Sequence, residues 1–312
     1  MSIPNTHLLA RLRFRHLQLI SEVERTGSLT RAADALSLTQ PALSKALKEI
    51  EDILGFEIYH RGARGLQKTP QGLVLAQGIN VLLQQLQHIH EEAGAADTDP
   101  DIAGILRLGS SAFIAVGLLP PIIARLTSQT PQISVRISED NVPRLFEKII
   151  AGELDALICL YNSDVMTSKG ASDMRFEKLA EEPYVVIAPA GHRLGKQRQV
   201  TWQSLAEESW ILTRKPSFAR ILVEDRFRQH GVMMPMPICE TEGPVTAAKL
   251  VASGVGISSV PESTAREHLK SKTVSLLRLQ TPHPTATLGL VYRMTDAMHP
   301  RIASLRSALE LK

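Results

Sequence analysis

Gly27-Ser28-Leu29-Thr30-Arg31-Ala32-Ala33-Asp34-Ala35-Leu36-Ser37-Leu38-Thr39-Gln40-Pro41-Ala42-Leu43-Ser44-Lys45-Ala46-Leu47-Lys48-Glu49-Ile50-Glu51 reads as two capped helices joined by a tight turn. Ser28 is placed to cap the first helix and Thr39 the second. Pro41 falls in a first turn whose amides have no helical acceptor. Only about three residues, Ser37-Leu38-Thr39, separate the helices, so they must cross steeply, and the small Ala32, Ala33 and Ala42 let them approach. In the second helix Leu43, Leu47, Ile50 and Leu54 recur at spacings of four, three and four and form its buried side. Gln40, Ser44, Lys45 and Lys48 then share the opposite face. These side chains suit a groove-reading helix: Gln bridges an adenine edge, Lys reaches guanine or phosphate, and Ser permits close approach. A solvated polar face is the plain alternative, and the capped helix and tight turn before it weigh against that.

Working outward, Phe56-Glu57-Ile58-Tyr59-His60-Arg61 is short and β-prone, Gly62-Ala63-Arg64-Gly65 turns, and Leu66-Gln67-Lys68-Thr69 returns. A hairpin carrying Arg61, Arg64 and Lys68 makes a basic wing placed to hold a nucleic-acid backbone or the adjacent minor groove. Thr69-Pro70 then opens a long helix in which Leu75, Ile79, Leu82, Leu86, Ile89 and Ala93 are spaced four, three, four, three and four. This heptad seam, bordered by glutamines, predicts pairing with a second copy. Gly94 to Asp101 is small, acidic and closed by a proline, which is linker chemistry.

Beyond it, short apolar strands alternate with helices: 105–108, 133–137, 155–160, 184–188, 210–213, 237–239, 256–260 and 287–292 are the expected strands. The alternation predicts α/β architecture with largely parallel sheets. Of 312 residues, 44% are hydrophobic and 21% charged, which excludes a disordered or collagen-like chain. Residues 1–90 hold ten Lys/Arg and seven Asp/Glu against 25 and 25 in residues 91–312, so the whole +3 excess lies in the first third. That points to an anionic partner for the N-terminal part. No apolar run approaches the ~20 residues of a membrane span, and no export signal is visible, so the cytoplasm is the expected location. Cys159 and Cys239 are expected as two buried thiols, and His88-x-His90 lacks the further ligands of a zinc site.

The run Arg15-His16-Leu17, Gly27 to Ala33, Gln40-Pro41-Ala42-Leu43-Ser44, Glu51-x-x-Leu54-Gly55, Arg61 and Thr69-Pro70-x-Gly72 strongly resembles the LysR-type transcriptional regulators. The departures are a longer leader before Phe14 and Tyr59-His60 where the family often has Phe and Glu. The resemblance implies an α+β multidomain chain: an N-terminal winged helix-turn-helix (1–69), a linker and dimerisation helix (70–93) and a hinge (94–101). A C-terminal two-lobed α/β region like a type 2 periplasmic binding protein follows, with lobe I at 102–163 and 269–312 and lobe II at 164–268. On this reading Gln40, Pro41, Ser44 and Lys45 meet bases. Arg31, Lys48, Arg61, Arg64 and Lys68 hold phosphates or the minor groove, and Ser28, Thr30 and Thr39 complete the DNA-facing set.

The resemblance further implies a small-molecule effector, expected to be a carboxylate, between the lobes. Ser110 and Ser111 after the first strand and Thr213 on the other lobe match the family's ligand positions. Arg214, Thr241, Glu242 and Gly243 are further candidates, with Gly243 expected to allow close backbone approach, and Asn141 and Tyr161 are weaker ones. Expected partners are an operator duplex, the effector and the chain itself as a dimer or tetramer; contact with RNA polymerase is compatible with that role. No cofactor, metal or membrane is expected, and activation is the expected direction of control. No nucleophile elbow, phosphate loop or dinucleotide glycine pattern points to an enzyme. The alternative is a solute-binding or transferase-like α/β module whose N-terminal helices serve assembly alone.

Overall fold

The computed structural model describes residues 10–62, 65–98, 104–161, 171–215, 217–283 and 285–311, with the backbone alone at 61, 62, 65 and 95–98. It comprises two compact units, residues 1–101 with 150–153, and residues 102–149 with 154–312.

In the first unit α1 (Phe14–Thr26) ends on Gly27, whose φ of 63° is the left-handed conformation that stops a helix. Helix α2 (Leu29–Ala35) starts at Ser28, whose hydroxyl accepts from the Arg31 amide, and α3 (Gln40–Leu54) starts at Thr39, whose hydroxyl accepts from the Ala42 amide. Between them Ser37 is itself left-handed (φ 54°), which turns the chain so that the Leu38 amide reaches the Ala33 carbonyl at 2.8 Å. Ala32 and Ala33 are buried at the crossing with Leu43, Leu47 and Ile50. Ala42 is not; it lies exposed in the first turn of α3, because the core-facing stripe begins one residue later at Leu43.

The hairpin pairs β1 (Tyr59–Gly62) with β2 (Gly65–Lys68) in antiparallel register. Helix α4 runs from Pro70 to Thr98, so most of the expected hinge at 94–101 is helical. Ala93, Ala95 and Ala96 propagate a helix well, and an isolated glycine costs it only about 1 kcal/mol. The seam also divides. Leu75 and Ile79 pack into the helix-turn-helix core, whereas Leu82, Leu86 and Ile89 are 57%, 46% and 62% exposed.

In the second unit β3 (Gly104–Ser110) leads to α5 (Ala112–Gly117), α6 (Leu119–Gln129), β4 (Ile133–Glu139), α7 (Val142–Ala151) and β5 (Ala156–Leu160). Then come β6 (Met174–Glu182), β7 (Tyr184–Pro189), α8 (Trp202–Leu205), β8 (Ile211–Thr213), α9 (Phe218–Gln229), β9 (Cys239–Thr241) and α10 (Pro244–Ala252). The chain closes with β10 (Ser258–Pro261), α11 (Glu262–Lys270), β11 (Val274–Leu276), β12 (Ala286–Arg293) and α12 (Pro300–Ala308).

The first lobe is a five-stranded sheet ordered β4-β3-β5-β12-β6, with β3 parallel to β4 and β5, and β12 antiparallel to β5 and β6. The second holds the antiparallel sheet β10-β7-β11 and the parallel pair β8-β9. The sheets are therefore mixed where largely parallel ones were expected. Strand β6 carries the chain out of the first lobe and β12 carries it back, and such a pair is antiparallel by construction. Sheet membership also moves the lobe boundaries: 174–182 belongs to the first lobe's sheet and 274–276 to the second's.

Candidate nucleic-acid interface and effector cleft

On α3 the stripe Leu43, Leu47 and Ile50 is fully buried, which leaves Gln40, Pro41, Lys45 and Lys48 exposed and Ser44 half-buried on the far side. Gln40 donates weakly to the Ser44 hydroxyl at 3.4 Å, so both polar groups lie one turn apart along one line. Thr30 and Arg31 are exposed at the start of α2, and Thr39 at the start of α3. The hydroxyls of Ser28 and Thr39 are committed as helix caps, which aims the two helices. Among the described residues Arg31, Lys45 and Lys48 form no ion pair. Lys68 differs: it pairs with Glu24, which also accepts from the Tyr59 hydroxyl at 2.7 Å, so Lys68 fastens the wing's base to α1. The Arg61 side chain and all of Arg64 lie outside the described residues. His60, a departure from the family pattern, sits exposed beside Glu57 at 3.2 Å.

Supporting residues went unrecognised in the sequence as such. Glu51, on the last turns of α3, accepts from the amides of Ile58 at 2.8 Å and Tyr59 at 3.3 Å and so ties α3 to the wing. Thr69 accepts from the Gly72 amide and donates to the Glu57 carbonyl at 2.7 Å. A Cβ at Gly72 would stand 2.1 Å from the Ile58 carbonyl oxygen, so only glycine lets α4 dock here. The motifs Glu51-x-x-Leu54-Gly55 and Thr69-Pro70-x-Gly72 are thus the joints of the wing.

In the second unit Ser110 ends β3, Asn141 follows β4 and Tyr161 follows β5, so all three lie at the carboxyl edge of the parallel strands, where α/β sheets bind ligands. Thr213 and Thr241 are register partners at the matching edge of β8-β9. Helix α5, which starts after Ser111, packs against α10, which starts after Gly243, and against α11. The elements bearing the candidates therefore face one another across the lobes. One apolar cluster spans them, joining Phe113 and Ile114 to Tyr184, Ala219 and Leu222.

The candidates are not equivalent. The hydroxyls of Ser110 and Ser111 are buried and without a hydrogen-bond partner among the described residues. Thr213 is bonded to Ser217 at 2.6 Å, and the Thr241 hydroxyl donates to the Gly243 carbonyl at 3.1 Å. Asn141 caps α7 by accepting from the Arg144 amide at 3.0 Å. Tyr161 stands edge-on to Phe176 with ring centres 5.1 Å apart. Arg214 and Glu242 pair with each other at 2.7 Å on the surface, which removes the conflict of an acid in an anion site. Gly243 is extended, with open space where a Cβ would go, so the close backbone approach expected there is not found. An open hollow of about 600 Å³ on the second lobe, bordered by Arg220, Glu224 and the 234–240 segment, is lined by none of the expected effector residues.

Cys159 is buried, and burial pushes its thiol up to about 12, whereas Cys239 is half-buried and not the second buried thiol expected. Among the described residues no cluster of three or more His, Cys, Asp or Glu is placed to hold a metal ion, and no helix is long and apolar enough to cross a membrane.

Residues 14–73 match the bacterial regulatory helix-turn-helix domain of the lysR family, and residues 101–311 match the LysR substrate binding domain. The chain belongs to the LysR family. LysR regulators are transcription factors and not enzymes; they bind DNA and small effectors and act as oligomers. A LysR-type relative, the transcriptional regulator GbpR of Azospirillum brasilense, is 27% identical over 315 residues, covering 99% of this chain and 90% of its own. A probable hydrogen peroxide-inducible genes activator of Mycobacterium avium is 27% identical over 265 residues, 85% of this chain and 83% of its own. Among solved structures, a full-length OxyR variant from Pseudomonas aeruginosa superposes with a TM-score of 0.62 at 26% identity, over 96% of this chain and 95% of that one.

Proposed function

We propose that this LysR-type regulator lays the Gln40, Pro41, Ser44 and Lys45 face of α3 along the major groove while Arg31, Lys48, Arg61 and Arg64 hold the flanking backbone. Lys68 is left out of that set because Glu24 holds it. The observation that carries the reading is the coincidence, on one helix face, of exposure and unpaired positive charge at Lys45 and Lys48. Two such heads match a two-fold operator, and the exposed stripe Leu82, Leu86 and Ile89 supports dimerisation through α4.

The effector we infer is a small organic acid held between the lobes, with the Ser110 and Ser111 hydroxyls donating to its carboxylate. Buried hydroxyls without partners are costly unless something satisfies them, and that supports a ligand there. Peroxide sensing is not supported at Cys159, because a buried thiol with a raised pKa is a poor nucleophile. The proposed direction is activation, in keeping with the activators among the relatives.

Footprinting the full-length protein on its own upstream intergenic DNA, with and without a panel of small carboxylates, tests both halves. A protected two-fold site that changes with one acid is expected. No protection overturns the DNA face, and protection indifferent to every carboxylate overturns the effector class. Removal of residues 1–68 is expected to abolish DNA binding and retain the acid-induced rise in melting temperature.

A further inference from the structure

Ahead of α1 the chain reads Arg11-Leu12-Arg13, and Leu12 packs against the apolar core of the first unit while both arginines are exposed. Arg13 is the N-cap residue of α1, extended at φ −114° and ψ 154°. Its amide donates to Nδ1 of buried His16 at 3.3 Å, and its carbonyl accepts from the His16 amide at 2.8 Å. The His16 ring thus supplies the N3 half of a capping box, while the second bond is made by the main chain. The leader is therefore fastened at two points, a packed leucine and a doubly bonded cap, and its arginines project from a defined segment. Neither Arg11 nor Arg13 is ion-paired among the described residues.

The position of this segment is set by His16. Its pKa is lowered chiefly by burial and next by Arg15, while Glu49 of α3 acts in the opposite sense and Arg13 adds to the lowering. Helix α1 packs against α3, so the two arginines precede a helix that lies on the one whose free lysines face outward. They also precede the shared domain, whose match begins at residue 14.

We propose that Arg11 and Arg13 are an additional DNA-backbone contact, binding phosphates beside the segment read by α3 and extending the footprint beyond the winged helix-turn-helix. The proposal rests on α3 facing DNA. Exposed arginines held in place and without carboxylates are the side chains that displace condensed counterions, and each phosphate neutralised adds about 0.9 to the slope of log affinity against log salt.

The test measures binding of the full-length protein to a fluorescein-labelled duplex of random sequence, by anisotropy across a potassium chloride series. Arg11→Gln with Arg13→Gln is expected to reduce the slope by about 1.8, so that the variant loses roughly tenfold less affinity than the parent between 50 and 200 mM salt. Arg11→Lys with Arg13→Lys is expected to keep the parental slope. A glutamine variant with the parental slope, alongside a Lys45→Gln, Lys48→Gln variant whose slope falls, overturns the leader contact and leaves the α3 reading standing. Parental slopes in both glutamine variants overturn the α3 reading and this contact with it. Equal loss in the lysine and glutamine variants identifies a structural effect and also overturns the proposal.

Discussion

The exposed cations of α2 and α3 and the cations that hold the second unit together are placed in opposite ways. In the helix-turn-helix, Arg31, Lys45 and Lys48 stand on the surface and form no ion pair, among the described residues. In the effector-binding unit several cations are bound into the architecture. Arg306 and Glu177 meet at 2.9 Å, Arg220 holds Glu224 and Glu240, Arg193 holds Glu208, and Arg293 holds Asp296 at 2.5 Å while donating to the Ile149 and Leu154 carbonyls. A cation that folding has left unpaired is available to a partner; one already paired is part of the scaffold. Lys68 shows that this sorting follows geometry and not location, since it belongs to the DNA-binding unit and is nonetheless consumed by Glu24.

The comparison breaks most visibly at Ser44. Ser44→Arg inserts bulk where, on the proposed reading, α3 approaches bases, and specific binding is expected to fall to the non-specific level, about 10³-fold or more, with the dimer intact. Gel shift and sedimentation check the two parts; undiminished operator affinity sinks the assignment. Next in size is an effect hidden inside the second unit. His283 is buried against Trp202 and bonded to Ser259 at 3.1 Å, and burial first, then Arg226, lowers its pKa from 6.5 to about 4. The unfolded chain therefore takes up the proton first as pH falls. Stability is full above about pH 6.5 and drops by about 3 kcal/mol towards pH 4. In His283→Gln this part of the acid sensitivity should vanish from melting curves recorded across that range.

Smaller, and directed at the free cations, Lys45→Gln with Lys48→Gln should lower the salt slope by about 0.9, the share of the Lys48 phosphate contact, with little change in melting temperature. The smallest expected effect is that of Arg214→Gln. Its pair with Glu242 is exposed on both sides, so the melting free energy should change by less than about 1 kcal/mol and the salt slope not at all. A change in slope for this variant would blur the division between the units.

The helix-turn-helix was legible in the sequence because its determinants are local: caps at Ser28 and Thr39, a short turn, and a stripe of Leu43, Leu47 and Ile50 within one helix. What needed the structure was non-local. The Lys68–Glu24 pair joins positions 44 apart, and no periodicity announces it. The apolar seam of α4 was visible, but spacing does not say what covers a seam, and its first turns are covered by the chain's own core. Strand β6, Met174–Glu182, was missed because it is an edge strand rich in charge, without the apolar run that marks an interior one. At the proposed effector site, the place of Ser110 and Ser111 at the end of the first strand was legible. That Asn141 is a cap and Arg214 is neutralised follows from neighbours brought together only by folding.

The outgoing and returning strands between the lobes lie side by side, with Glu182 opposite Ala286 at the point of departure. Both strands run on into the first lobe's five-stranded sheet, where β12 also pairs with β5. The bridge between the lobes is therefore part of one lobe's core, and a strain placed on it would be carried into that core directly.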